Sequence, residues 1–81
     1  MTSQISKQEF RQRIILAELA RRPLNRNDLT VRALAKGLSP GIFQVTFRYL
    51  KETGRVQKES SEKRATWLIT AKGRKLLEAL S

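Results

Sequence analysis

Five residues between positions 41 and 55 have the types and spacing that could do chemistry. Gly41, Gln44, Arg48, Lys51 and Arg55 recur at alternating intervals of three and four. On a helix beginning at Pro40 they gather in one sector when each residue is turned by about 100°. Phe43, Phe47 and Leu50 fall together elsewhere on the same helix, within roughly one quarter-turn. One side is therefore apolar and the other is lined with carboxamide and guanidinium groups. Such groups can make paired hydrogen bonds to base edges in a DNA groove, although an ordinary surface helix would expose similar residues to water alone. The rest of the chain has to decide between the two.

The residue types that catalysis needs are missing. The 81 residues include no cysteine and no histidine, which removes the usual zinc sites, thiol nucleophiles and imidazole bases. Ser, Asp and Glu occur without an organised base or metal cluster, so neither an enzyme nor a bound cofactor, metal or small-molecule ligand is expected. Lys and Arg number 17 against 7 Asp and Glu, a net charge of +10. Eight basic side chains face three acidic ones over residues 1–38, six face three over 39–64, and three face one in the remainder. A positive field that wraps several sides calls for an anionic partner, either nucleic acid or anionic lipid. No apolar run approaches the roughly 20 residues of a membrane span, and the first twelve residues lack the apolar region of a signal peptide. A soluble, cytoplasmic, DNA-associated protein with no membrane partner is the expectation.

Elements must position these groups. SKQE at Ser6–Glu9 is a capping-box pattern, with Ile5 and Phe10 at staple positions, and it opens a first helix that Pro23 ends near Arg22. Phe10, Ile14, Ala17 and Arg21 follow one line of this helix, while Ile15, Leu16 and Leu19 widen its apolar side. Pro23–Asp28 reads as a connection, Leu29 as a very short strand, and Thr30 as the cap of a second helix over 31–36. Gly37 permits a sharp turn; Ser39 caps the third helix, Pro40 takes its first position and Gly54 stops it. Strands over 55–60 and 65–70 enclose the polar stretch SSEKR, which makes a hairpin. Val56 anchors the first strand. On the second, Leu68 is the residue chosen for the core, leaving Trp67 to cover an edge or meet a partner. Thr70 caps a last helix over 71–80 with an apolar stripe of Leu76, Leu77 and Leu80, and Gly73 costs it roughly 1 kcal/mol relative to alanine. The stripe either folds back on the first helix or, with it, forms a symmetric homodimer.

This order of helix, short strand, two helices, hairpin and helix resembles the winged helix-turn-helix DNA-binding proteins, particularly the MarR-like and PadR-like regulators and their small stand-alone relatives. The resemblance runs from Phe10 to Leu80 and is carried by LTVRALAKGLSPGIFQVTFRYLKETGRV at Leu29–Val56 and WLITAKGRKLLEAL at Trp67–Leu80. Ala33, Gly37 and Phe43 match the small, glycine and apolar positions of a helix-turn-helix: Ala33 lets the two helices approach closely, Gly37 makes the turn and Phe43 plugs the space between them. Lys36 departs from the pattern, which usually has an apolar residue there, and the second helix is accordingly expected to be short or tilted.

The resemblance implies a mainly α fold with a small β-hairpin, forming one domain over 1–81. Its helix-turn-helix would lie at about 30–53, its wing at about 55–70 and its C-terminal helix at 71–80. It implies a small transcriptional regulator whose third helix enters the major groove of double-stranded DNA, with Ser39, Gly41, Gln44, Val45 and Arg48 facing the DNA. Lys51 and Arg55 would meet phosphates further along that face. Lys58, Lys63 and Arg64 would reach backbone or minor groove from the wing. An architectural factor in recombination, replication or plasmid maintenance, or a winged helix that binds protein, remains open at this point. RNA is disfavoured because no exposed aromatic series is available for stacking. A membrane-surface role would need the apolar face of the first helix, which the core needs.

Overall fold

In the computed structural model, which describes residues 6–80, the chain runs α1 (Lys7–Arg21), α2 (Arg26–Ala35), α3 (Pro40–Glu52), β1 (Val56–Lys58), β2 (Trp67–Ile69) and α4 (Ala71–Leu80). The capping box at the start of α1 is formed: the Glu9 amide donates to Ser6 Oγ at 3.1 Å and the Ser6 amide to Glu9 Oε1 at 3.0 Å. Ile5, the expected staple partner of Phe10, lies outside the described residues. α1 packs against α2, α3, α4 and β2 and buries Ile15, Leu16 and Leu19. The line expected through Phe10, Ile14 and Ala17 lies at the edge of the buried side, with Ile14 packed partly on the core. Phe10 is 44% exposed, and Ile14 and Ala17 are half-buried.

α2 begins five residues earlier than its expected start. Asn25, not Thr30, is the cap, its Oδ1 accepting the Asp28 amide at 2.8 Å. Leu29 is therefore helical, and with Ala33 one turn later it makes the fully buried side of α2. The Thr30 hydroxyl donates to the Arg26 carbonyl at 2.7 Å, a bond available to threonine inside a helix. The short strand expected at Leu29 is a one-residue bridge at Leu24, which exchanges backbone hydrogen bonds with Trp67 at 2.7 and 3.3 Å.

α2 and α3 end in the same way. Gly37 has φ +103° and Gly54 φ +75°. After α2 the Gly37 amide donates to Leu34 and that of Leu38 to Ala33; after α3 Gly54 donates to Lys51 and Arg55 to Leu50. This paired closure needs the left-handed conformation that glycine adopts without penalty. Leu38, buried just beyond the first of these turns, supplies the accompanying apolar contact. Lys36 is the exposed C-cap of α2, so a lysine there disturbs no packing.

Antiparallel register pairs Val56 with Ile69 and Lys58 with Trp67. Opposed residues project to the same face, so Trp67 and Ile69 share the side of Val56, and Leu68 takes the other side. Trp67 is thus the core residue that Leu68 was expected to be: it is 7% exposed, and Leu68 is half-buried. Phe43, Phe47, Leu50, Ile15, Leu16 and Leu29 complete the centre. No helix among the described residues is long and apolar enough to cross a membrane.

Thr70 joins α4 to the rest. Its Oγ1 donates to the Gly54 carbonyl at 2.7 Å and accepts the Gly73 amide at 3.0 Å, while its own amide donates to the Arg55 carbonyl at 3.1 Å. Gly73 is buried at this junction. A β-carbon there would run into the Arg55 carbonyl oxygen and come within 2.8 Å of Ile69 Cγ1. Helix propensity alone favours alanine by about 1 kcal/mol. Overpacking typically costs about 1–3 kcal/mol, and backbone contact belongs at its upper end. Gly73→Ala is therefore expected to lower stability by about 1–2 kcal/mol in urea unfolding, and a raised midpoint would show that propensity dominates.

Candidate nucleic-acid interface

α3 is built to be held on one side and presented on the other. Phe43, Thr46, Phe47 and Leu50 are buried, and the Phe43 and Phe47 rings stack at 5.6 Å. Gly41, Gln44, Val45, Arg48 and Lys51 are all exposed, Val45 to 70%. Ser39 is exposed too, but its Oγ is engaged, accepting the Ile42 amide at 3.3 Å as the N-cap. Ile42 packs partly on the core, whereas Tyr49 is 39% exposed.

The exposed face of α3 has two flanks of different character. On one, Arg26, Gln44, Phe47, Arg48 and Lys51 line a pocket of about 110 Å³ that includes three cations and no carboxylate. The Arg26 guanidinium lies 5.2 Å above the Phe47 ring centroid. Cation–π contact of this kind steadies a guanidinium without neutralising it. Arg26 was not among the expected site residues, because the stretch around it read as a connection. The Asn-x-x-Asp pattern at Asn25–Asp28 was the signal that would have placed it on the first turn of α2. On the other flank, Gly41, Ile42, Val45 and Tyr49 meet Gln8 and Arg11 of α1 across a groove of about 660 Å³. Neither Gln8 nor Arg11 was among the expected site residues.

Arg55 does not continue the Lys51 line. The helix stops at Glu52, and the positive φ of Gly54 redirects the chain. Half-buried Arg55 places its guanidinium 5.7 Å from the Tyr49 ring centroid, and its Nε is buried without a hydrogen-bond partner. Lys58 is also partly engaged: its Nζ donates to the Glu62 carbonyl at 3.4 Å and lies 5.9 Å from the Trp67 ring centroid. Lys63 and Arg64 are exposed at the tip between the strands. Backbone bonds from Glu59 to Thr66 and from Ala65 to Glu62 close that tip.

No protein-family model matches the sequence, and no curated protein does. Solved structures do resemble the chain. A proposed transcriptional regulator from Thermoplasma acidophilum superposes with a TM-score of 0.70 at 28% identity, over 89% of this chain and 75% of its own. A MarR-family transcriptional regulator from Silicibacter pomeroyi gives 0.68 at 21% identity, over 86% of this chain and 47% of its own. This chain therefore spans about half the length of that regulator. The SSV1 protein F-93 gives 0.71 at 16% identity, over 99% of this chain and 88% of its own. The fold is the winged helix-turn-helix that the sequence resemblance implied.

The engagement of Ser39 separates two effects at one position. Ser39→Ala removes the cap and is expected to cost about 1 kcal/mol of stability, with faster amide exchange at Ile42. Unchanged stability and unchanged exchange would show that the hydroxyl is not needed as a cap.

Proposed function

We propose that this protein is a sequence-specific double-stranded DNA-binding protein, a small transcriptional regulator that places α3 in the major groove. The observation that carries this reading is the exposed row Gln44, Arg48 and Lys51 on a helix fixed from behind by Phe43, Phe47 and Leu50. Base discrimination requires donors held in register, and a helix docked by two stacked rings supplies that rigidity. Arg48 reads guanine O6 and N7 through paired hydrogen bonds, Gln44 reads adenine, and Val45 meets a thymine methyl. Gly41 lets the backbone of α3 approach the groove. Lys51 and Arg26 contact phosphates on either side, and Lys63 and Arg64 do so from the wing, which fixes register without choosing sequence. Arg55 and Lys58 support this surface from partly engaged positions. The protein acts on cytoplasmic DNA by occupying a site.

Dimerisation belongs to the same proposal, with its seam moved. Leu80 is buried within its own domain, and Leu76 and Leu77 pack against its core, so most of the expected α4 stripe is already used. Phe10, Ile14, Ala17 and Arg21 instead follow one flank of α1 at intervals of four, three and four, with Phe10 and Arg21 exposed and Ile14 packed partly on the core. That spacing suits a helix pair, and two copies joined through it would favour half-sites about one DNA turn apart.

Selection of bound duplexes from a random pool, with wild type and two variants, tests the reading. Wild type should recover a motif. Arg48→Ala should lose about 1–3 kcal/mol on that motif and relax preference at one position. Lys51→Ala should weaken all duplexes alike and reduce the salt slope by about 0.9. No motif from wild type, or full affinity and selectivity in Arg48→Ala, would overturn it.

A further inference from the structure

The apolar flank of α3 carries no cation of its own. Arg48 and Lys51, the two cations of this helix, both line the pocket on the other flank. A helix about 10–12 Å across fills a major groove about 12 Å wide, so a sugar–phosphate backbone runs along each of its sides. The strand beside Ile42, Val45 and Tyr49 therefore takes its counter-charge from another element.

α1 stands where that strand would run. Gln8 and Arg11 line the groove of about 660 Å³ together with Gly41, Val45 and Tyr49. Gly41 and Val45 also belong to the reading face, so the groove continues that face without a break. Arg11 borders a second cleft, of about 350 Å³, with Lys7, Lys36 and Gly37. It thus lies beside both the turn from α2 into α3 and the first turn of α3. Its side chain is exposed and makes no hydrogen bond, ion pair or ring contact among the described residues.

The acidic side chains nearby are engaged or distant. No carboxylate lines either cleft. In α1, Glu9 accepts the Ser6 amide and Glu18 lies 3.6 Å from Arg32. Glu52, the one acidic residue of α3, comes eleven residues after Gly41, roughly 16 Å along the helix at about 1.5 Å per residue. The Gly41 end of the groove is therefore its cationic end. An apolar floor with a guanidinium at the rim matches a strand that turns thymine methyls inward and phosphates outward.

We propose that this groove takes the second strand of the duplex, with Arg11 and Gln8 holding its phosphates beside the first turn of α3. α1 is then a DNA-contacting helix as well as a scaffold. The proposal rests on the seating of α3 in the major groove.

Methylphosphonate substitution, which removes the charge of one phosphate at a time, tests it on the duplex that wild type selects. Wild type should lose affinity at neutral phosphates on both strands. Arg11→Ala should reduce the salt slope by about 0.9 and become indifferent to neutral phosphates at one or two adjacent positions of a single strand. Lys51→Ala should become indifferent on the opposite strand. Arg11→Lys should regain most of the slope and the sensitivity, because a point charge suffices for phosphate. The urea midpoint of Arg11→Ala should match wild type; if it falls, Arg11→Lys against wild type carries the same comparison at the affected phosphates. Arg11→Ala with the wild-type slope and the wild-type phosphate pattern overturns the inference and leaves the α3 reading intact. Sensitivity lost on the same strand for Arg11→Ala and Lys51→Ala overturns it as well. Wild type that binds no duplex at all overturns the α3 reading beneath it.

Discussion

The ring of Phe47 is the joint on which this small fold depends. Trp67 meets it edge-on at 4.8 Å and 81°, and Phe43 stacks against it at 5.6 Å. Arg26 lies 5.2 Å from its centroid. One side chain of α3 therefore touches the wing, its own helix and the first residue of α2. Each aromatic pair is worth about 0.5–1.5 kcal/mol beyond the area it buries, a large share for a domain of this size. Position matters more than energy here. Because Phe47 is fixed from several directions, the opposite side of α3 has little freedom to rotate, and Gln44 and Arg48 are presented at a set angle.

The other constraints hold that joint in place. Two helices end on glycine in left-handed conformations, which sets the turn from α2 into α3 and the exit from α3 into the wing. Trp67 is tied by its backbone to Leu24, so the wing root is fixed to the start of α2 as well as to Phe47. Thr70 then binds the last strand to the end of α3 through the Gly54 carbonyl. Buried Glu18, 3.6 Å from Arg32, links α1 with α2; removing either partner would leave a desolvated charge or lose the tie. The paired arrangement thus favours one relative placement of the helices.

How much could be read in the sequence depended on whether the deciding interaction was local. Ser6 with Glu9, Ser39 with Pro40, and Thr70 are caps whose partners lie within three residues, and the ends of α1, α3 and α4 were legible. Thr30 was expected to cap α2, but Asn25 does so, because Leu29 belongs to the buried side of the helix and not to a strand. Only packing on α1 and α3 decides that. Trp67 and Leu68 show the same limit: alternation separates two faces, but pairing with Val56 is needed to say which is inner. The cost of Gly73 was legible as helix propensity. Its benefit lies in the Arg55 carbonyl, eighteen residues away in the chain. Phe10 misled because apolar character alone does not say whether a side chain is buried. For the site, the row Gln44, Arg48 and Lys51 followed from periodicity, while Arg26 joined it only through tertiary contact with Phe47.

We propose that α3, held by Phe47, presents the surface that meets DNA. Backbone amide shifts followed by NMR while duplex is added test it most directly. The largest shifts are expected on Gly41, Gln44, Val45 and Arg48 of α3, with Arg26 beside them, while buried Phe47 and Trp67 keep their contact. Shifts confined to residues outside α3, or none at concentrations where the duplex is bound, would contradict it.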